Sequence, residues 1–318
     1  MRPLHVSRSR ARSRTTAVAA VGAALLLGLT ACGSGSGSPA AKGTAHDHAP
    51  AMTSTPSMPG MPGMPSTTGM PSMSGMPSMD TTAAPSDTSA GYRFVSADSR
   101  LTAGHPVAYR FRVTGPEGGP VTAFAVEQTE RLHFYAVRSD LTGFQHVHPV
   151  MAADGTWTAG LAALAPGGWR VFATFTPADG PGKGEDFVLS RTVTVPGAAT
   201  AAPLPPAAST TTVDGYTLTV RGEVRAGMAA PLTVAFSKDG KPVTDLQPYL
   251  GTYAHLTAFR AGDLAFAHLH PTTAADGTPG GPELTFHAEL PAAGDWRLFV
   301  QFRTGGTLHT AALTVRAA

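Results

Sequence analysis

From Pro106 to Val113 apolar and polar positions alternate: Val107, Tyr109, Phe111 and Val113 fall on one side, Ala108, Arg110 and Arg112 on the other. A period of two predicts a half-buried strand. Gly115-Pro116-Glu117-Gly118-Gly119-Pro120 then reads as a turn. Short apolar segments follow near Val121 to Val126, Leu132 to Arg138, Phe144 to His148, Thr156 to Leu161, Trp169 to Phe175 and Phe187 to Val195. Turn signals such as Asp154-Gly155 and Pro166-Gly167-Gly168 separate them, and no segment keeps a helical period long enough for a helix. Many short strands at regular spacing predict an all-β unit over residues 91–196, an antiparallel β-sandwich of immunoglobulin-like or cupredoxin-like type.

The pattern then repeats. Residues 197–212 form a Pro/Ala-rich linker, and 213–318 return the features of the first unit. Gly91-Tyr92 matches Gly215-Tyr216, Ala103-Gly104 matches Ala226-Gly227, and Asp154-Gly155-Thr156 matches Asp276-Gly277-Thr278. Trp169, Phe172 and Phe175 match Trp296, Phe299 and Phe302. The reading is a tandem duplication of a sandwich, with too few copies for a solenoid.

Leu132 to Pro149 and Ala254 to Pro271 align without a gap, and each reads H-x12-H-x-H-P. His133, His146 and His148 fall on His255, His268 and His270. Within Phe144–His148 the strand period puts Phe144, His146 and His148 on one face, Gln145 and Val147 on the other. Directly opposed residues of an antiparallel pair share a face. If paired positions across the hairpin sum to an odd number, His133 joins His146 and His148; an even sum sends it to the other side. Three neutral imidazoles with an open position suit Cu(II), with Zn(II) as second choice. Neither repeat contains Cys, which excludes a blue-copper thiolate centre, and no Glu follows where a cupin would need one. Alternatively the imidazoles are structural, satisfied by main-chain groups. Met151 lies close enough in sequence to add a thioether to the first set. His105, His287 and His309 have no counterpart in the other copy and read as surface residues, though His309 could add to a site in the second unit. No nucleophile elbow, phosphate loop or evident carboxylate pair appears, so the chain does not read as an enzyme.

The N-terminal part changes the picture of where this chemistry takes place. Residues 1–31 read as an export signal: an Arg-rich start, then the apolar run Ala17 to Leu29, short for a membrane span. Without the five Arg of that segment the formal charge of +2 becomes 2 − 5 = −3, which offers no footprint for nucleic acid. Residues 32–90 are rich in Gly, Ser, Pro, Thr and Met and read as a disordered tether, with a coil reach of roughly 40 Å. The tether carries His46 and His48, then Met52, Met58, Met61, Met64, Met70, Met73, Met76 and Met79, spaced by multiples of three. In polyproline II that period lines the thioethers along one edge, about 9 Å apart. Thioether suits Cu(I) and imidazole Cu(II), so the tether reads as a copper-collecting arm. The other reading is a spacer of drifted Met-Pro-Gly repeats.

Leu29-Thr30-Ala31-Cys32 resembles a bacterial lipobox. The resemblance implies cleavage before Cys32, the only cysteine, and a lipid on its thiol that holds the chain on the extracytoplasmic face of a cell membrane. The repeats, through Leu-His-x-x-x-Val-x-x-Asp-Leu-x-x-x-x-His-x-His-Pro and the later Gly-x-Trp-Arg-x-Phe, resemble a group of exported actinobacterial lipoproteins with one or two such domains; that likeness is silent on activity. In composition the tether is similar to the Met/His segments of periplasmic copper-resistance proteins of the CopC type. Together these features lead to the expectation of a lipid-anchored metal-binding protein that captures or carries copper, partnered by the membrane and a metal-handling or cell-envelope protein. The alternative is a cell-envelope binding or scaffold protein whose immunoglobulin-like domains keep His for structure.

Overall fold

The computed structural model describes residues 86–318. The signal segment, Cys32 and the tether positions His46, His48, Met52, Met58, Met61, Met64, Met70, Met73, Met76 and Met79 lie outside the described residues. Within them every regular element is a strand. The first repeat comprises β1 (Thr88–Ser89), β2 (Tyr92–Val95), β3 (Val107–Thr114), β4 (His133–Arg138), β5 (Phe144–Val147), β6 (Val150–Met151), β7 (Trp157–Leu161), β8 (Gly167–Phe175) and β9 (Phe187–Val195). The second comprises β10 (Thr210–Val213), β11 (Tyr216–Arg221), β12 (Ala230–Lys238), β13 (Lys241–Pro242), β14 (Ala254–Arg260), β15 (Phe266–Pro271), β16 (Glu283–Ala288), β17 (Gly294–Thr304) and β18 (Thr307–Ala317).

Each repeat is an antiparallel β-sandwich. In the first, the sheet β1-β2-β3-β7-β6 faces the sheet β5-β4-β8-β9. Their inner positions fill one core, with Phe94, Tyr109, Phe111 and Trp157 from one sheet against Phe134, Ala136, Val171 and Ala173 from the other. The alternation seen in the sequence from Val107 to Val113 is this inward and outward reading. In the second repeat, β10-β11-β12-β16 and β14-β17-β18 play these parts.

The H-x-H-P segment is where the chain changes sheets. β5 pairs with β4, then β6 pairs with β7 in the opposite sheet, with His148-Pro149 at the crossing. β15 does the same without a break: Phe266–Leu269 pair with β14, and His270-Pro271 pair with β16. Proline has no N–H for a ladder, which suits a point where one pairing ends and another begins.

Several expectations need correction. Val121–Val126 is no strand; it makes one isolated bridge, Phe124 with Pro177. The first sandwich includes residues ahead of Gly91, since Thr88–Ser89 pairs with Tyr92 and Arg93. The Pro/Ala-rich linker is docked: Ala202 N–H donates to Asp140 at 3.1 Å, and Leu204 packs on the apolar cluster between the two sandwiches.

That cluster explains why β4 and β14 are buried along both faces. Phe134 and Ala136 point into their own core, while Tyr135 and Val137 point outward with Phe172. They meet Phe259, Phe266 and Phe299 of the second sandwich. Phe144 stacks on Phe299 at 4.2 Å across this seam. The two sandwiches therefore pack through the sheets that carry the histidines, and His133 and Tyr135 lie on the same outward face.

Candidate metal centre

Register decides the site. Phe134 pairs with Val147 and Tyr135 with His146, so paired positions sum to 281, an odd number. His133 thus shares the outward face with His146 and His148. In the second copy Leu256 pairs with Leu269 and Thr257 with His268, which puts His255 and His268 on the matching face. The first-copy ligand atoms lie within 4.8 Å of one another, so His133, His146 and His148 could hold a metal ion.

The two sets do not sit apart, one per domain, as their spacing in sequence suggests. Face-to-face packing gathers them in one seam. The His255 ring centre is 4.6 Å from His146, 4.5 Å from His268 and 5.7 Å from His133. His270 is placed by register opposite His287, where the strand changes sheets.

Hydrogen bonds fix which nitrogens carry protons. His133 Nε2 lies 3.0 Å from the Glu127 carbonyl, which only accepts, so Nε2 carries the hydrogen. His146 Nδ1 lies 2.7 Å from Gln301 Oε1, again an acceptor, while the Gln301 amide nitrogen donates to Thr310. In two neutral rings the remaining nitrogens, His133 Nδ1 and His146 Nε2, are then both bare, and they face each other at 3.1 Å. Two opposed lone pairs repel unless a proton or a cation lies between them. Burial works against the proton. It pulls the His133 imidazole down to about 4, with the Glu127 carbonyl opposing only in part. Burial, then the neighbouring His133 and His148, push His146 well below the ordinary imidazole range. His255 is pushed down in the same way, by burial and then by the surrounding imidazoles. His148 is lowered by burial, and its Nε2 is enclosed with no hydrogen-bond partner.

Metal–imidazole bonds of about 2.0 Å put neighbouring nitrogens about 2.8 Å apart at a right angle and about 3.3 Å at the tetrahedral angle. The observed 3.1 Å lies inside that interval.

A two-residue turn closes the site from above. Glu127 and Glu130 exchange N–H···O bonds of 2.8 and 2.9 Å around Gln128 and Thr129, which have φ of 46° and 72°. Its residues touch three of the imidazoles. The Glu127 carbonyl accepts from His133, the Gln128 amide donates to His268 at 3.3 Å, and the Glu130 carboxylate lies 3.6 Å from His148 Nδ1. A small cleft of about 60 Å³ beside this turn is lined by Glu127, Glu130, Asp186, Arg131, His133 and His268. Three carboxylates against one guanidinium give its mouth a cation-attracting character. Burial and Asp186 raise the Glu127 carboxyl.

Other candidates fall away. Met151 packs with the core of the first sandwich, on the far side of the sheet from the imidazoles. His309 is buried, not superficial: it bonds Asp214 at 2.7 Å and Thr304 at 3.0 Å, and stands opposite Phe302 on the core face of β17. It cannot join the seam. His105 and His287 are exposed. Gln301, Tyr135, Gln128 and Glu130 are not specified by the motif: docking brings Gln301 to His146, Gln128 to His268 and Tyr135 to His255, while Glu130 meets His148 within the first sandwich. One signal was available: the runs LHFYAV and AHLTAF contain no charged residue, and their outward positions, His-Tyr-Val and His-Thr-Phe, end in apolar side chains, which implies burial on both faces.

A family model described as a domain of unknown function, DUF8832, matches residues 211–318, the second sandwich. No curated protein sequence matches the chain. Among solved structures, alpha-2-macroglobulin of Salmonella reacted with methylamine is similar over 75% of this chain and 15% of its own, at 11% identity and a TM-score of 0.26. The Ig1-2 module of the Drosophila receptor tyrosine phosphatase DLAR is similar over 71% of this chain and 98% of its own, at 7% identity and a TM-score of 0.19. The chain thus spans only a small part of the macroglobulin it matches. At such scores these likenesses carry nothing about activity.

Proposed function

We propose that this chain is a lipid-anchored, extracytoplasmic metal-binding protein that captures or carries copper, with His133, His146 and His148 as the ion's ligands. The observation that carries this reading is the pair of bare nitrogens, His133 Nδ1 and His146 Nε2, held 3.1 Å apart in a buried seam. Imidazole suits Cu(II), which stands above Zn(II) in affinity for such donors, and no thiolate is present in the repeats to favour another choice. The acidic cleft beside the Glu127–Glu130 turn supplies the route by which a hydrated cation reaches the triad. On this reading the Met residues of the tether, with His46 and His48, collect the ion, and Cys32 holds the protein at the membrane. The role proposed for the triad is to capture or carry the ion.

Titration of the purified chain with Cu(II), Zn(II) and Ni(II) tests the reading. The triad should bind at pH 7.5 and release as the imidazoles protonate at lower pH. Equal affinity in a variant carrying His146→Ala and His148→Ala would remove the triad from any metal role. The competing reading, a cell-envelope scaffold with structural His, draws on the cross-seam bonds of His146 and His255. It requires the same substitutions to lower thermal stability with no metal present and to leave metal affinity unchanged.

A further inference from the structure

The duplicated positions around the two histidine sets are not equivalent in what they touch. Gln301 on β17 stands in register with His255, its own neighbour, yet its carboxamide crosses the seam to His146. It is buried, and Thr310 holds its amide end. The same position in the first copy is Thr174, in register with His133. Its short side chain cannot cross, and its hydroxyl lies towards Tyr135 of its own sandwich. A second difference points the same way. Tyr135 reaches across the seam to His255 Nε2 at 3.2 Å. Its counterpart, Thr257, cannot return the contact, and the Thr257 hydroxyl is buried with no partner.

Both cross-seam bonds therefore favour the first set. A carboxamide that accepts from Nδ1–H fixes the His146 tautomer, aims Nε2 at the ion position and makes it a better donor. A phenol hydrogen-bonded to His255 Nε2 engages a ring nitrogen that a second ion would need. Resting on the reading above, we infer that the two sets have diverged: the chain holds one ion, in the first set, and the second sandwich acts as its positioning wall through Gln301. The duplication thus yields one site built from two domains. Gln301 is a positioning residue in this scheme, and Tyr135 is the group that keeps His255 out of coordination.

The test uses the full chain with Cys32→Ser, His46→Ala and His48→Ala, titrated with Co(II) at pH 7.5. Co(II) reports its geometry through visible bands, and the thioethers of the tether are poor ligands for it. Saturation is expected at one Co(II) per chain. His146→Ala should abolish the bands, while His255→Ala, or the space-filling His255→Gln, should keep one ion per chain. Gln301→Leu should weaken binding about ten- to a hundred-fold and shift the bands, the usual cost of losing a partner behind a ligand. Gln301→Glu, which still accepts from Nδ1–H, should restore both. Two ions per chain, loss of the ion on removing His255, or an unchanged affinity and spectrum in Gln301→Leu would each overturn the asymmetry. Binding of no ion at all would take the metal reading down with it.

Discussion

Acidifying the metal-free protein should weaken it well above the pH at which its carboxylates protonate. His133 is 4% exposed and its imidazole is held down to about 4 by burial, against about 6.5 in an unfolded chain. The folded state therefore binds fewer protons than the unfolded state between these values. Stability is fully present above pH 6.5 and is lost as the pH falls towards 4. From this group alone the loss is about 2 kcal/mol by pH 5 and about 3 kcal/mol by pH 4. His146 and His255 shift in the same direction and add to it. For a chain of this size about 2 kcal/mol corresponds to a fall of roughly 4–8 °C in melting temperature. Asp140, Asp263 and Asp276 are held below the usual carboxylate range by their hydrogen bonds, so their contributions fade only at lower pH. Thermal unfolding in chelator at pH 7.5, 6, 5 and 4.5 reads the gradient, and His133→Gln should flatten it by about the amount calculated. A melting temperature constant from pH 7.5 to 5 would show that the imidazoles are not buried as neutral rings.

Further outcomes follow from packing and backbone geometry. Phe259→Ala empties a fully buried position of the seam and should cost about 3–5 kcal/mol, measured by denaturant unfolding. Gly143→Ala should destabilise the hairpin that carries His146, because a Cβ there would lie 2.5 Å from the Trp169 ring; calorimetry should show a fall of about 1–3 kcal/mol. Thr129→Gly should behave oppositely to most glycine substitutions and raise the melting temperature. Thr129 is β-branched with φ of 72°, and the matching turn at Tyr249–Thr252 has Gly251 at that place.

The strands were legible because period-two alternation reports burial directly. Val107–Val113 alternates and forms β3; the run at Val121–Val126 has neither strict alternation nor a partner strand, and it lies as a loop touching Pro177. The parity rule reduced the site to one unknown, the hairpin register, which sequence spacing does not determine because it depends on how Leu141 and Gly143 shape the loop. What could not be read was the docking of one sandwich on the other. Gln301 lies 155 residues from His146, and nothing local to either announces that they meet. The same docking turned two expected sites into one seam, while His309, which has no counterpart in the first copy, is held inside the second sandwich by Asp214 and Thr304.

The metal reading stands or falls on whether His133 Nδ1 and His146 Nε2, which face each other from neighbouring strands of the first sandwich, are ligands. Long-range ¹H–¹⁵N NMR of the histidine rings reads it directly, with and without one equivalent of Zn(II) at pH 7.5. Metal-free His146 should be protonated on Nδ1, and Zn(II) should move the resonances of His133 Nδ1 and His146 Nε2 while both rings keep their other hydrogens. Imidazole resonances that stay unchanged through equimolar Zn(II) and Cu(I) or Cu(II) competition, or a metal-free His146 protonated on Nε2, would contradict it.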